Sequence, residues 1–385
     1  MWGYMRKTKK YFFILTIAII LACTFVLNAC TSWQKRFNTY APDFDRLRGD
    51  STQYVYDTKE QALAAGGGWF WTVNEDFSGY QNLDEFLFHP ESNPYSPWVS
   101  SPHSHRIMPE LDRLAGRTRA DYELWQYPQY GNWWCEDMLR LHTDPKNPKN
   151  NFIRIQARQF TQANPHVCSK NICPAAGRMS SGIETRLNPN ITDGSFNGEQ
   201  AFGFYEAEVL IPNADGLWSA FWLQARTMGN IGNDGRDGSE IDIFESSFRR
   251  AWLDRGENLV GICVHWDGYA EHHRSEGRIL PVSDNLYDSS WHTFALKWTP
   301  WEYVFYVNGV AVYASDWGGI SRVNQYMRFT TEVSNWDDFS KMGPYGQPLG
   351  FFRPNAAGNT DFLINSVRVL QHTDFLEHIM SIEDF

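Results

Sequence analysis

The chain has 385 residues, of which 42% are hydrophobic, 16% aromatic and 21% charged. This length and composition are typical of a globular protein with a sizeable core, and they exclude a disordered or fibrous chain. The formal net charge of −11 has the wrong sign for a protein that binds the phosphates of nucleic acids.

The amino terminus has the pattern of an export signal. Basic residues in the first ten positions precede an apolar stretch from Tyr11 to Leu27. Leu27 and Ala29 precede Cys30 as in the lipobox of bacterial lipoproteins, which this segment resembles. We therefore predict a signal peptide over residues 1–29 and a lipid at Cys30, which would anchor the chain at the cell surface or outer membrane. An uncleaved membrane anchor and soluble secretion are the alternatives.

The remaining cysteines would face an oxidising compartment. Cys168 and Cys173 are close enough in a polar loop to form a disulfide. Cys135 and Cys263 either form a second bridge or remain thiols. These cysteines lack the paired short spacings of a structural zinc site, so the cysteine pattern does not predict one.

Beyond the signal, the chain divides into a tether, one domain and a tail. Residues 30–66 are polar and lack sustained periodicity, so we predict a tether there, a domain at 67–373 and a tail at 374–385. Helical periodicity is confined to Gln61–Ala65 and Phe375–Ile382.

Short β-rich segments, separated by Gly, Pro, Asn and Asp, recur through the predicted domain. They predict an all-β sandwich rather than alternating strands and helices, and the lack of a fixed repeat disfavours solenoids and propellers. The predicted strands are Phe152–Ala157, Gly182–Arg186, Phe202–Ile211, Ser219–Leu223, Ile241–Phe244, Leu259–His265, His292–Lys297, Tyr303–Val307, Val310–Tyr313, Tyr326–Thr330 and Phe362–Val369.

The most informative segment runs from Glu240 to Glu245 and contains three carboxylates. On a strand, Glu240 and Asp242 share one face, while Glu245 falls out of phase. A β-bulge at position 243 or 244 would return Glu245 to the acidic face. Carboxylates crowded on one face repel each other, which favours a proton on one of them and gives the differently charged pair that glycoside hydrolysis uses. The alternative is a solvated face of a half-buried strand.

Further motifs flank the acidic strand in a defined order. They are Ser181–Thr185, Phe202–Ala207, Gly216–Leu223, Trp291–Phe294, Lys297–Pro300 and Phe305–Gly309. Together with the Glu-x-Asp-x-x-Glu pattern, they resemble glycoside hydrolase family 16, the endo-glycanases that include laminarinases, agarases, carrageenases and endo-β-galactosidases. The resemblance covers roughly Trp69 to Gln371.

The resemblance implies a concanavalin A-like jelly-roll sandwich of two curved antiparallel sheets, with the acidic strand on the floor of a concave substrate cleft. It implies that Glu240 is the nucleophile, Glu245 the general acid and base, and Asp242 the residue that modulates their charge. The family retains anomeric configuration, which requires the two catalytic carboxyl groups to be about 5–5.5 Å apart.

Aromatic and polar residues near the acidic strand are candidates for binding the sugar. Trp218 corresponds to the cleft tryptophan of the family, and an indole can stack on the C–H face of a sugar ring. His265 could hydrogen-bond the acid and base or a sugar hydroxyl, with a structural role as the alternative. The other candidates, each with a core or ion-pair alternative, are Trp222, Trp266, Trp133, Trp336 and Arg186. Trp291 and Trp298 are expected in the core.

Further sequence features bear on the identity of the substrate and on a candidate calcium ion. The loop before the acidic strand lacks the Trp-Pro pair that laminarinases usually carry, which argues against laminarin. The Asp-Gly-Ser and His-Trp-Asp-Gly-Tyr motifs resemble those of family members that act on galactose-containing glycans. Some family members bind a structural calcium, for which Glu75 and Asp361 are the candidates, with simple hydration as the alternative. No cofactor is required for the chemistry.

The sequence therefore predicts a monomeric, endo-acting, retaining glycoside hydrolase that cleaves internal β-glycosidic bonds of a polysaccharide or glycan. The alternatives are a laminarinase-like β-1,3-glucanase, a transglycosylase and a carbohydrate-binding jelly roll without catalysis. A binding module has no need of an intact Glu-x-Asp-x-x-Glu strand, which favours the enzyme.

Overall fold

The computed structural model describes residues 55–101, 132–134, 138–160, 177–215, 217–246, 258–332, 353–354 and 360–385. Their helices are α1 (Lys59–Ala64) and α2 (Leu83–Phe86), with 3-10 turns at Pro148–Asn150, Trp317–Gly319, Thr373–His378 and Ile382–Asp384. Their strands are β1 (Val55–Tyr56), β2 (Trp69–Glu75), β3 (Trp98–Ser100), β4 (Asn132–Trp134), β5 (Leu139–His142), β6 (Phe152–Ile155), β7 (Arg158–Phe160), β8 (Gly177–Ser180), β9 (Gly182–Thr185), β10 (Gly203–Leu210), β11 (Ala214–Asp215), β12 (Trp218–Ala225), β13 (Glu240–Glu245), β14 (Leu259–Trp266), β15 (Arg274–Pro281), β16 (His292–Trp298), β17 (Tyr303–Val307), β18 (Val310–Ser315), β19 (Gln325–Glu332), β20 (Arg353–Pro354) and β21 (Phe362–His372).

Two large sheets organise these strands. The back sheet has the order β1-β2-β21-β10-β16-β17-β18, with β6 beside β21 and β5 beside β6. The front sheet has the order β15-β14-β13-β12-β19-β9-β3. The pairings within both sheets are antiparallel except for that of β1 with β2, so the described residues form the predicted all-β sandwich.

The core lies between the two sheets and consists of alternate apolar residues from each strand. Phe244 of the front sheet stacks on Phe294 of the back sheet with ring centroids 4.2 Å apart. Within the front sheet, Phe221 stacks on Phe329 at 4.4 Å. The period of two that places these rings inside leaves the intervening side chains of β12, β13 and β19 on the outer face of the front sheet.

All of the predicted strands are present, with ends that differ by a few residues. The prediction that Trp298 belongs to the core is confirmed, because it is fully buried and its indole N–H donates to the Ser321 carbonyl at 3.0 Å. The prediction for Trp291 is wrong. It lies just before β16 rather than within it, is 36% exposed, and contacts Phe152 at the edge of the sheet.

Both ends of the predicted domain extend further than the sequence indicates. Residues 55–66, assigned to the tether, form β1 and α1, and β1 pairs with β2. A two-residue strand carries no periodicity that could be read from the sequence. In the predicted tail, Phe375 is fully buried and packs against Trp69 with ring centroids 5.8 Å apart. Among the described residues, no helix has the length and apolarity needed to cross a membrane.

Candidate active site

The acidic strand β13 contains the predicted bulge. Asp242 pairs with Cys263 of β14, and Glu245 pairs with Gly261, so β13 uses one residue more than β14 between the two pairs. The extra residue allows the neighbouring side chains at 243 and 244 both to be buried. Glu245 therefore returns to the outer face of the front sheet, beside Glu240 and Asp242.

Asp242 lies between the two glutamates and is almost completely buried, with 3% of its surface exposed. Its charge is matched by His265, which lies opposite Glu240 in the β13–β14 ladder. The His265 Nε2 atom is 3.2 Å from Asp242 Oδ2 and 4.0 Å from Glu240 Oε1. Burial disfavours the imidazolium, but the Asp242 carboxylate and the Cys263 side chain outweigh it and raise the pKa of His265 to about 12. His265 is therefore a cation beside the acids at neutral pH.

His265 is held in place from its other side. Its Nδ1 atom is 2.8 Å from His273 Nε2, and the two imidazole rings stack with 5.1 Å between centroids. The ring thus directs Nε2 at the carboxylates and Nδ1 at His273. Burial and the positive charge of His265 lower the pKa of His273, which favours a neutral ring there.

Glu240 receives hydrogen bonds from two neutral donors. The Tyr269 hydroxyl donates to Oε2, and Gln224 Nε2 donates to the same oxygen at 3.3 Å. Burial and the charge of Asp242 raise the pKa of Glu240 to about 7, while His265 and the Tyr269 hydrogen bond oppose the rise. The donors and the imidazolium all favour the anion, so this site can hold an ionised carboxylate at neutral pH.

Glu245 has a different environment. Trp218 Nε1 donates to Glu245 Oε1 at 2.9 Å. Burial first, then the charges of Asp242 and Glu240, raise the pKa of Glu245 well above its ordinary value. Glu245 therefore favours its protonated form. One ionised and one protonated carboxyl group on one face is the arrangement that glycosidic bond cleavage requires.

Next to the acids, β12, β19 and β9 present a buried network of arginines and aromatic rings. The Arg328 guanidinium lies 4.1 Å from the centre of the Trp222 ring, and its Nε is 2.8 Å from Glu184 Oε2. Arg186 binds the other oxygen of Glu184 and lies 3.6 Å from the centre of the Tyr326 ring. This network fixes the floor of the outer face beside Glu240.

The structure separates the predicted sugar-binding residues into groups. Trp218 and His265 lie beside the acids, as predicted. Trp222 shares their face, but Arg328 covers one side of its ring, and its Nε1 donates to Thr330 Oγ1 at 3.1 Å. Arg186 is neither a substrate contact nor a surface pair, because it is 5% exposed and bound to Glu184.

The prediction for Trp266 is wrong. It follows His265 directly on β14, so its side chain points to the opposite face of the sheet, where it is 8% exposed. The ring packs on Gly318, at which an added Cβ would lie 3.1 Å from it and where φ is +66°. Trp266 is therefore a packing residue. The side chain of Trp133, Trp336, and the cysteines at 30, 135, 168 and 173 lie outside the described residues.

Three residues of the site were not predicted from the sequence, namely Tyr269, Gln224 and Arg328. Asp267 and Gly268 have positive φ angles of 60° and 79°, so the chain turns back after β14 and brings Tyr269 onto Glu240. Gln224 and Arg328 are strand residues, and a strict alternation counted from Trp218 and Trp222 would have placed Gln224 on the acidic face.

The calcium prediction does not fit the structure. Glu75 accepts hydrogen bonds from the Phe77 N–H at 2.7 Å and the Tyr80 hydroxyl at 3.1 Å, while Asp361 is paired with Arg154. Glu75 is opposite Val367 on β21, whereas Asp361 lies before the start of that strand, about 20 Å away at 3.3 Å per residue. The two carboxylates cannot share an ion. Within the described ranges, the residues that could hold a metal together are Asp242, Cys263 and His265.

Comparison with known proteins agrees with this arrangement. Residues 166–341 match the model of glycosyl hydrolases family 16. The chain is 28% identical over 198 residues to a beta-1,3-glucan-binding protein of Penaeus monodon, covering 50% of this chain and 48% of that protein. It is 29% identical over 119 residues to endo-1,3-1,4-beta-glycanase ExsH of Rhizobium meliloti, covering 30% of this chain and 22% of that protein. The chain thus spans about half, or less, of the curated relatives it matches.

Among solved structures, porphyranase B of Zobellia galactanivorans has a TM-score of 0.50 and 14% identity, with 80% of this chain and 94% of that chain covered. At this identity the likeness shows the fold alone. The two antiparallel-rich sheets accordingly form a jelly-roll sandwich, as the sequence predicts.

Proposed function

Because residues 166–341 match the model of glycosyl hydrolases family 16, we propose that this chain is an endo-acting, retaining glycoside hydrolase. Its substrate is a polysaccharide or glycan, which it cuts at internal β-glycosidic bonds. The observation that carries the proposal is the pair of glutamates at the two ends of the bulged strand β13, on one face, with Asp242 between them.

Glu240 is the nucleophile in this proposal. Its donors, Tyr269 and Gln224, and the cation His265 all stabilise a carboxylate anion at this position. The Glu240 carboxylate attacks the anomeric carbon, and the bond from that carbon to the leaving oxygen breaks. The product of this step is a glycosyl ester of Glu240.

Glu245 supplies the proton for the same step. Its raised pKa keeps the carboxyl group protonated until the leaving oxygen takes the proton. Esterification of Glu240 removes one of the charges that raise the pKa of Glu245, so its carboxylate then becomes the stable form. As a base, Glu245 takes a proton from water, whose oxygen attacks the anomeric carbon and releases Glu240.

Asp242 and His265 keep the two glutamates in different states. Asp242 raises the pKa of both glutamates through its charge, while the imidazolium of His265 limits the rise. Because His265 Nε2 is 3.2 Å from Asp242 and 4.0 Å from Glu240, its charge acts on the middle and the nucleophilic carboxylates together.

For the substrate, we propose a β-linked glycan rather than one named polymer. The curated relatives are named for β-1,3-glucan and β-1,3-1,4-glycan. The loop Asn230–Asp237 lacks the Trp-Pro pair of laminarinases, which argues against laminarin, while the Asp-Gly-Ser and His-Trp-Asp-Gly-Tyr motifs support a galactose-containing glycan. A laminarinase-like activity, transglycosylation and binding without cleavage are the competing outcomes.

The test is a panel of glycans with product analysis by mass. The purified chain is incubated with laminarin, mixed-linkage glucan, agarose, porphyran, carrageenan, keratan sulfate and mucin glycans. We expect one class to give internal oligosaccharides, with no release by the Glu240→Gln variant. Binding without release by the native chain would favour a binding module, and acceptor-dependent longer products would favour a transglycosylase.

Retention is tested separately by following the anomer of the new reducing end by NMR. The β anomer should appear first and then mutarotate. An α anomer as the first product would contradict the assignment of Glu240 as a nucleophile, because a single displacement by water inverts the configuration.

We also propose that Cys30 carries a lipid that anchors the enzyme to the membrane. The basic and apolar residues before it and the Leu27 and Ala29 positions support this. A Cys30→Ala chain should leave the membrane fraction or accumulate uncleaved; unchanged fractionation and processing would contradict the anchor.

A further inference from the structure

Beside the catalytic acids lies a set of side chains with metal-binding chemistry. Asp242, Cys263 and His265 each direct one ligand atom into the same space, and these atoms lie within 4.8 Å of one another. Cys263 is directly opposite Asp242 in the β13–β14 ladder, and His265 is two residues further on the same face of β14. The fixed register of the two strands holds the three residues together.

Their spacing suits a small tetrahedral cation. With bonds of about 2.0–2.3 Å, the ligand atoms of tetrahedral zinc are roughly 3.3–3.6 Å apart. Asp242 Oδ2 and His265 Nε2 already lie 3.2 Å apart. The Cys263 sulfur lies within 4.8 Å of both of these atoms.

A glycine on the neighbouring strand makes room for the thiol. Cys263 forms no disulfide and is half-buried. On the neighbouring strand it is opposite Gly277, at which an added Cβ would lie 3.0 Å from the Cys263 sulfur. The absence of a side chain at Gly277 therefore provides the space that the sulfur occupies.

The histidine is oriented as a metal ligand is. In metal sites, a ligating imidazole uses one nitrogen for the metal and the other for a fixed hydrogen-bond partner. Here His265 Nδ1 is bound to His273 Nε2 at 2.8 Å, which leaves Nε2 directed at Asp242. Glu240 is not one of the three grouped residues, although its Oε1 lies 4.0 Å from the same Nε2.

We propose that Asp242, Cys263 and His265 form a binding site for zinc or another thiophilic divalent cation, which inhibits the enzyme when bound. Thiolate, neutral imidazole and carboxylate are the ligand types that zinc prefers, so binding must displace the protons of Cys263 and His265. The bound cation would take Asp242 and His265 away from their roles beside the glutamates. The inhibitory effect rests on the proposed function, whereas the binding site does not.

Binding is tested first, without reference to activity. The full chain, with reduced thiols, is titrated with Zn²⁺ by calorimetry and with Cd²⁺ by ultraviolet absorption, which detects the charge-transfer band of a cadmium–thiolate bond. We expect one site with a thiolate band. In Cys263→Ser the band should disappear and Zn²⁺ should bind at least about tenfold more weakly.

Matched variants keep this test decisive. Cys135→Ser makes the same chemical change at another position and should keep the band and the affinity. His273→Ala leaves all three ligands in place and should weaken Zn²⁺ binding by about 10–100-fold, because the imidazole loses its fixed partner. A band that persists in Cys263→Ser, or that disappears in Cys135→Ser, would overturn the proposal, as would the absence of binding to the native chain.

Inhibition is tested on whichever glycan the native chain cleaves. The ratio of the rates with and without Zn²⁺ should rise in Cys263→Ser relative to the native chain, and a chelator should reverse the inhibition. A thiolate band without hydrolysis of any glycan would support the metal site and contradict the proposed function. Hydrolysis whose zinc sensitivity is identical in both proteins would remove the inhibitory site and leave the enzyme.

Discussion

The molecule carries two acidic strands that look alike in sequence and differ in chemistry. In the back sheet, β10 has Glu206 and Glu208 on one face, and the register shift after Glu208 comes from an extra residue, Asn365, on the neighbouring strand β21. In the front sheet, β13 has Glu240 and Asp242 on one face, and the extra residue that follows them lies on β13 itself. The two strands therefore share the spacing of their first two acids, and this spacing alone does not make a catalytic site.

The residues that surround the acids account for the different chemistry of β10 and β13. On β10, each acid has its own partner on β21: Arg368 lies 3.8 Å from Glu206, and Asn365 donates to Glu208 at 2.6 Å. On β13, the bulge adds a third carboxylate to the same face, and the acids share one cation, His265. Individually satisfied acids stabilise a surface, whereas crowded acids that share a cation acquire different proton affinities.

The largest effect should follow from removing the nucleophile. Glu240→Gln should lower kcat/KM by at least about 10³-fold, because no other group on the face can form the glycosyl ester. The matched change Glu208→Gln on β10 should leave kcat/KM within about twofold. Addition of azide to Glu240→Ala should restore turnover and give the α-glycosyl azide. A β-glycosyl azide would exchange the roles of Glu240 and Glu245.

The next largest effect should come from the general acid. Glu245→Gln should lower kcat by about 10²–10⁴-fold on a glycan, since proton transfer to the leaving oxygen is lost. The loss should be much smaller on an aryl glycoside whose leaving group needs no proton. A loss of equal size on both substrates would show that Glu245 acts in binding rather than in proton transfer.

The sequence predicted the part of this comparison that depends on local pattern. Alternation located the strands of both sheets, and the out-of-phase Glu245 predicted the bulge, because a strand has a strict period of two. The same period exposes the error at Trp266, whose side chain had to point away from that of His265. The roles of Trp218 and His265 beside the acids were also accessible from their motifs.

The rest of the site depends on contacts between distant segments, which local pattern does not encode. Tyr269 reaches Glu240 because two residues with positive φ reverse the chain after β14. Arg328 reaches Glu184 and Trp222 because β19 lies between β9 and β12. Sheet order and turn geometry together determine these contacts. Tyr269 and Arg328 therefore cannot be distinguished from ordinary loop and strand residues in the sequence.

A smaller effect should follow from removing the charge between the glutamates. Asp242→Asn removes a charge that raises the pKa of Glu245, so that pKa should fall. Glu245 must be protonated for the first step, and the basic limb of the kcat/KM profile should therefore move to lower pH. We expect a loss of about tenfold at the optimum, measured with a chelator present. A basic limb that stays in place would show that Asp242 does not act on Glu245 through its charge.

The loss of one hydrogen bond to the nucleophile should matter less. Tyr269→Phe removes the hydroxyl that stabilises the Glu240 anion, so the pKa of Glu240 should rise and the acidic limb should move to higher pH. Gln224 still donates to the same oxygen, so we expect a loss of less than about tenfold, below the roughly 10–150-fold of a fully lost hydrogen bond of about 1.5–3 kcal/mol to a charged group. Tyr313→Phe on β18 of the back sheet is the matched control and should leave the pH profile unchanged.

The smallest effect is expected on β10, where Glu206 is paired with its own arginine, Arg368. Arg368→Gln breaks the 3.8 Å contact with Glu206, and the Arg368 side chain is 35% exposed. Partly exposed ion pairs contribute about 0–1 kcal/mol, because water already solvates both groups, so the free energy of unfolding should fall by no more than about this amount. Denaturant unfolding measures that change, and kcat/KM should stay within the error of the assay. A loss of activity in a correctly folded Arg368→Gln protein would show that the two acidic strands are linked through the core. The conclusion that the separately paired acids of β10 act independently of the acids that share His265 would then be wrong.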